Sequence, residues 1–74
     1  MSKGDIETRY EGGQWKNFVE GGTRASNVHD NKADAQAAGR DMAKARGVEH
    51  VVKKKDGTIG EKNSYGNDPH PSRG

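Results

Sequence analysis

The chain has 74 residues, 27% of them hydrophobic and 32% charged, with a net charge of +2 and no cysteine. That length holds one small domain around a thin core, and without cysteine there is no disulfide to reinforce it, no thiolate zinc site and no cysteine nucleophile. No apolar run approaches the roughly 18 residues that span a bilayer, and the amino-terminal MSKGDIETRY lacks the apolar stretch of a secretory signal, so a cytoplasmic protein with no membrane partner is expected.

Asp5 to Glu11 sets Ile6, Thr8 and Tyr10 in alternation with Asp5, Glu7 and Arg9, the period of a half-buried strand. Gly12-Gly13 turns the chain. Gln14 to Glu20, with Trp15, Phe18 and Val19, then supplies an antiparallel partner. Alternation puts Trp15, Asn17 and Val19 on one face of that partner and Phe18 on the other, which implies either a bulge or a strand wetted on neither face. Thr23 to His29 is polar with one candidate for burial, Val28, and fits a third short edge strand.

Asp30 or Asn31 is placed to cap a helix over Lys32 to Arg46, because a short side-chain oxygen accepts from the free N–H groups of the first turn. Ala35, Ala38, Met42 and Ala45 recur at helical spacing with Gly39 beside them. Each Ala buries little area, so Met42 is expected to supply much of the contact. Lys44 and Arg46 suit the carboxy-terminal dipole, and Gly47 suits a left-handed terminating position.

Val48 to Lys55 is expected as a strand through Val48, Val51 and Val52, joined at Asp56-Gly57 by a two-residue hairpin turn to Thr58 and Ile59. Ser64 to Gly74 contains Gly66, Pro69 and Pro71 without periodicity and is expected as an extended or flexible tail. The order is β-β-(β)-α-β-β. The expected fold is α+β: a small antiparallel sheet of four to five short strands covered on one face by a single helix, residues 1–63 forming the domain and 64–74 the tail.

The stretch Arg24-Ala25-Ser26-Asn27-Val28-His29-Asp30 resembles the R-A-S-x-x-H-D segment of the bacterial family termed domain of unknown function 2188. The resemblance continues through the Ala-rich helix ending AKARGVEHVV, the KDGTI hairpin and the ending SYGNDPHPSRG, similar to an S-Y-G-N-D-P-x-P-x-x-G close, and so covers about Trp15 to Gly74. That family commonly has a more apolar first strand and an apolar residue where this chain has Asn17. The resemblance implies fold and lineage; it brings no catalytic residues. Its recurring tail implies a structural or binding role for Tyr65 to Pro71.

Chemistry-bearing residues are sparse. His29 and Asp30 are the one adjacent histidine–carboxylate pair, but neighbours in a strand point to opposite faces, which favours His29 fixing the loop and Asp30 capping the helix over a catalytic dyad. A metal site from His29, His50 and His70 would need a loop, a strand and the tail to converge without the short spacings of zinc motifs. Ser26 and Ser64 lack a nucleophile elbow, and the glycine pairs match no phosphate-cradling loop. No enzyme activity, cofactor or small-molecule substrate is expected.

A binding module remains, with two partner classes. Nucleic acid would be met by Lys53 and Lys55, which face the same way in a strand, together with Arg24, Lys32, Arg40 and Lys44 on or near the helix. The competing use of such lysines is to guard a sheet edge against pairing. Self-association or another protein would be met by the open sheet face through Phe18, and by the tail through Tyr65, Asn67, Asp68 and Pro69.

Overall fold

A computed structural model of the chain describes residues 4–65. Five strands and one helix follow in the order β1 (Ile6–Glu11), β2 (Gln14–Val19), β3 (Ala25–His29), α1 (Lys32–Arg46), β4 (Glu49–Lys53) and β5 (Ile59–Ser64). The fold is α+β with a single sheet in the order β3-β2-β1-β4-β5. β1 is central. The sheet is mixed and not purely antiparallel: β1 runs parallel to β4, pairing Ile6 with His50, Glu7 with Val51 and Thr8 with Val52. The cause is α1, which carries the chain from one edge back across the sheet, so that β4 starts in the same sense as β3 and β1.

The first hairpin closes through Gly12 (φ +62°) and Gly13 (φ +85°), two left-handed residues that match the twist of the strands and that glycine adopts without penalty. In β2 the alternation is kept, with Asn17 opposite Thr8 and Phe18 opposite Glu7. The irregularity lies on the other side, where Asn17 pairs with Asn27 but Phe18 with Ala25, leaving Ser26 as the extra residue of a bulge.

Asn31, not Asp30, caps α1: its Oδ1 accepts from the Asp34 N–H at 2.8 Å. Gly47 ends the helix at φ +67°, its N–H reaching the Lys44 carbonyl, while the Val48 N–H reaches that of Ala43 at 3.0 Å, the paired bonds of a Schellman close. The buried stripe is Ala35, Gly39 and Ala43. Met42 is half-buried and Ala45 is exposed, against expectation, because six residues at 100° each carry Ala45 about 120° round the axis from Gly39.

The β4–β5 connection is longer than a two-residue turn. Lys54 N–H bonds Thr58 O at 2.7 Å and Gly57 N–H bonds Lys54 O at 2.9 Å, with left-handed φ at Gly57 but not at Asp56, which excludes the turn that needs both Asp56 and Gly57 left-handed. Asp56 Oδ1 accepts from the Thr58 N–H and hydroxyl, and these bonds hold its carboxyl below the usual range. β5 reaches Ser64, one residue into the stretch expected as tail.

Ile6, Trp15, Phe18, Ala35, Ala43, Val51 and Val52 form the apolar core. The face of the sheet away from α1 carries a lattice of charge: Arg9 bonds Glu7 and Glu11, Lys53 bonds Glu7 at 3.0 Å, Lys16 bonds Glu11 and Lys62 bonds Glu49. No helix among the described residues is long and apolar enough to cross a membrane.

Candidate polar groove between helix and edge strand

Beneath α1 the sheet presents polar side chains where an apolar layer would be the rule. Thr8, Asn17 and His50, from three adjacent strands, are at most 1% exposed. The Thr8 hydroxyl donates to Asn17 Oδ1, and Thr8 Oγ1 lies 2.7 Å from His50 Nε2. A hydroxyl has one proton to give, so the ring donates, and His50 carries its hydrogen on Nε2. Asn17 Nδ2 donates to Asn27 Oδ1 at 2.7 Å and to the Ala35 carbonyl at 2.9 Å. Asn27 Oδ1 also accepts from His29 Nε2 at 3.0 Å, and its amide faces the Met42 sulfur at 3.3 Å. One line of hydrogen bonds therefore crosses β4, β1, β2 and β3, and partners for buried polar atoms are what make such a layer tolerable.

Gly39 makes room for it. A Cβ at that position would lie 2.5 Å from Asn17 Oδ1 and 2.6 Å from both His50 Nε2 and Thr8 Oγ1, closer than atoms can pack. Burial lowers the His50 pKa; nearby Glu61 opposes that shift, and Arg40 adds to it. The ring is neutral at pH 7. Its Nδ1 has no hydrogen-bond partner among the described residues.

His50 is also the floor of a groove. α1 packs over β1 to β4, and β5 lies beyond it at the sheet edge. Between them a pocket of about 60 Å³ is lined by Gln36, Arg40, His50, Glu61, Asn63 and Tyr65. On the helix wall Gln36 and Arg40 stand one turn apart, with Lys32 and Lys44 one turn before and one turn after them, each step of four residues drifting about 40° round the axis. On the strand wall Glu61, Asn63 and Tyr65 recur every two, one face of a strand. Gln36 Nε2 donates to Glu61 Oε1 at 2.9 Å and Asn63 Nδ2 to Oε2 at 3.1 Å. Those two bonds hold the Glu61 carboxyl below its usual range, Asn63 contributing most. Lys44 Nζ stands 5.7 Å from the centre of the Tyr65 ring, and the Tyr65 N–H is tied to the Val48 carbonyl at 3.2 Å.

Of the residues singled out from sequence, Arg40 and Tyr65 line this groove and Lys44 stands beside Tyr65, whereas Lys32 Nζ lies 5.6 Å from the centre of the Trp15 ring on β2. Arg24 precedes β3, on the opposite sheet edge. Lys53 and Lys55 do not act as an aligned pair: β4 ends at Lys53, whose ammonium is bound to Glu7 on the open face, whereas Lys55 sits in the loop with Nζ 5.0 Å from the Tyr10 ring. Phe18 does point away from the helix, but it is 6% exposed, with the Arg9 guanidinium 3.9 Å from its ring centre. Asn67, Asp68 and Pro69 lie outside the described residues, as does His70. His29 and His50 stand on β3 and β4, with β2 and β1 between them.

Gln36, Glu61 and Asn63 escaped the sequence reading as site residues, and His50 entered it only as a candidate metal ligand. Signals existed: the four-residue recurrence from Lys32 to Lys44, a glycine inside an Ala-rich helix, and Asn17 on an otherwise apolar strand face. Each gains its meaning from strand order, since His50 becomes Thr8's neighbour only through the parallel pairing.

Comparison with known proteins gives a family. The family model described as an uncharacterized protein conserved in bacteria (DUF2188) matches residues 6–65, from the first strand through Tyr65. No curated protein and no solved structure matches the chain. The chain belongs to the DUF2188 family.

Proposed function

For this member of the DUF2188 family we propose a non-enzymatic binding module that holds a nucleic-acid strand along the groove between α1 and β5. The observation carrying this reading is an asymmetry in charge pairing. The cations of the open sheet face, Arg9, Lys16, Lys53 and Lys62, are all engaged by glutamates. Among the described residues Lys32, Arg40 and Lys44 make no ion pair, and they follow one another along the helix with steps of about 12 Å and about 6 Å along the axis. Cations without a carboxylate partner, Lys32 beside the Trp15 ring and Lys44 beside the Tyr65 ring, suit a row of phosphates, and the Tyr65 ring offers a base a surface to stack on.

A pocket of about 60 Å³ is well below the several hundred Å³ usual for an enclosed small-molecule site, which favours a surface grip over catalysis. A cytoplasmic setting accompanies this reading. Fluorescence anisotropy with labelled single strands and duplexes at two salt concentrations tests it. Binding that weakens with salt, and falls on replacing Arg40 and Lys44 but not Lys53, supports it; no binding at low salt ends it.

A second reading rests on the sheet edges. Ile59 on β5 is 57% exposed and Val28 on β3 is 44% exposed, so an added strand from a second copy would find an apolar contact at either edge. Sedimentation equilibrium of the parent and of Ile59→Lys tests it, a monomer at high concentration ending the self-association form.

A further inference from the structure

We propose that the pocket between Arg40 and Glu61 reads a guanine base of a single strand lying in the groove. This inference rests on the nucleic-acid reading and names what the same site selects.

The Glu61 carboxylate is fixed in place. Glu61 is held on one oxygen by Gln36 from the helix and on the other by Asn63 from its own strand. An ionised carboxylate accepts about four hydrogen bonds, so both oxygens keep capacity for a ligand, now in a fixed orientation. Across the pocket Arg40 has no hydrogen-bond or ion-pair partner among the described residues, which leaves a fork of donors. The floor is His50, 1% exposed, with the Nδ1 lone pair unclaimed. Because that ring is neutral at pH 7, it leaves the charge of Glu61 uncompensated from below. Tyr65 supplies a flat wall.

A ligand suited to this lining presents two adjacent donors toward Glu61 and an acceptor toward Arg40, on a planar edge thin enough for the pocket. Guanine is the common base with two adjacent donors on its pairing edge, N1–H and the N2 amino group, and its O6 and N7 form the acceptor pair that an Arg fork recognises. Adenine, cytosine and uracil each set a lone pair against one Glu61 oxygen. Splaying one base into a pocket and stacking it on an aromatic ring is the usual way a single strand is read. The pocket volume of about 60 Å³ holds only a few waters, so it takes the edge of a ring while the sugar and phosphates stay outside it along α1, toward Lys44.

The test uses the full chain and four labelled nonamers, all uridine or with a single central G, A or C, in anisotropy titrations at low salt. The central G strand is expected to bind about tenfold more tightly than the other three, the usual effect of one good bidentate contact. Glu61→Gln is expected to bring the G-to-U affinity ratio to about one. Gln36→Leu, which keeps the charge but frees one oxygen, should lower the ratio to an intermediate value. Amide NMR spectra of both variants verify the fold. Equal affinity for all four strands overturns base reading and leaves the groove reading standing, whereas no binding of any strand overturns both. A G preference that survives Glu61→Gln overturns the assignment to Glu61, and free guanosine monophosphate binding as tightly as the G strand overturns the requirement for a strand.

Discussion

Gly39 lies directly over His50: a methyl group on the glycine would fall 2.6 Å from the Nε2 that His50 uses to reach Thr8. Helix and sheet approach this closely because position 39 has no side chain, and the Thr8, Asn17 and His50 part of the polar line lies under bare backbone there.

Gly39→Ala should therefore destabilise the domain. In a free helix the change would gain about 1 kcal/mol, but overpacking a filled site costs about 1–3 kcal/mol, here with three buried polar atoms in the way. The urea midpoint is expected to fall. Ala37→Gly, at an exposed position of the same helix, provides the comparison and should cost about 1 kcal/mol.

Asn17→Ala removes the junction of the line. Thr8 loses its acceptor, while Asn27 and the Ala35 carbonyl lose a donor. At about 1–3 kcal/mol for an unsatisfied buried group, a loss above about 2 kcal/mol is expected. Asn27→Ala, nearer the edge and half-buried, should cost less, as read by denaturant titration of both.

Stability should fall on acidification through His50. Its folded pKa lies below the ordinary 6.5, chiefly because burial disfavours the charged ring. The unfolded chain then binds the proton more readily, so the contribution is complete above 6.5 and is lost as pH falls through the folded value. Denaturant midpoints measured from pH 7.5 to pH 5 should decline, and His50→Gln should flatten that part of the profile.

The first turn offers a gain. Gly12 at φ +62° is followed by Gly13 at φ +85°, and Asn-Gly is the favoured pair for two left-handed positions. Gly12→Asn should stabilise by a few tenths to about 1 kcal/mol by restricting the unfolded chain. Gly13→Val, with a branched side chain at positive φ, should destabilise; thermal melts of both variants distinguish the two positions.

Salt dependence distinguishes the two sets of cations. On a single strand without guanine, where Arg40 as well as Lys32 and Lys44 meets a phosphate, three such contacts give a slope of about −2 in log affinity against log salt. That amounts to roughly a 20-fold loss between about 50 and about 200 mM. Replacing both Arg40 and Lys44 by Gln should reduce the slope to about −0.7, while Lys53→Gln, which removes a partner of Glu7, should leave it near the parent value.

The elements were legible because their signals are local. Alternation at Ile6, Thr8 and Tyr10, the glycine pair at 12 and 13, the cap before Lys32 and the stop at Gly47 each depend on residues within a few positions. The site was not legible for the opposite reason. Lys32, Arg40 and Lys44 could be named for their charge, but Glu61 faces Gln36 only because α1 and β5 flank the same gap, and His50 meets Thr8 only because β4 docks parallel to β1. Lys53 and Lys55 misled because the spacing rule of a strand was carried past its last residue. Asn17 looked like a register conflict until its partners on β1 and β3 were in view.

The seam between β1 and β4 has a consequence for how the chain assembles. On one side lies a meander of three strands and on the other a hairpin, each wired by neighbours in sequence; across the seam the partners are 44 residues apart. Closing so long a loop costs entropy before any contact repays it. Folding should thus meet its slowest requirement at the docking of β4, and the groove, whose floor and far wall both come from beyond the seam, is the last part of the molecule to exist.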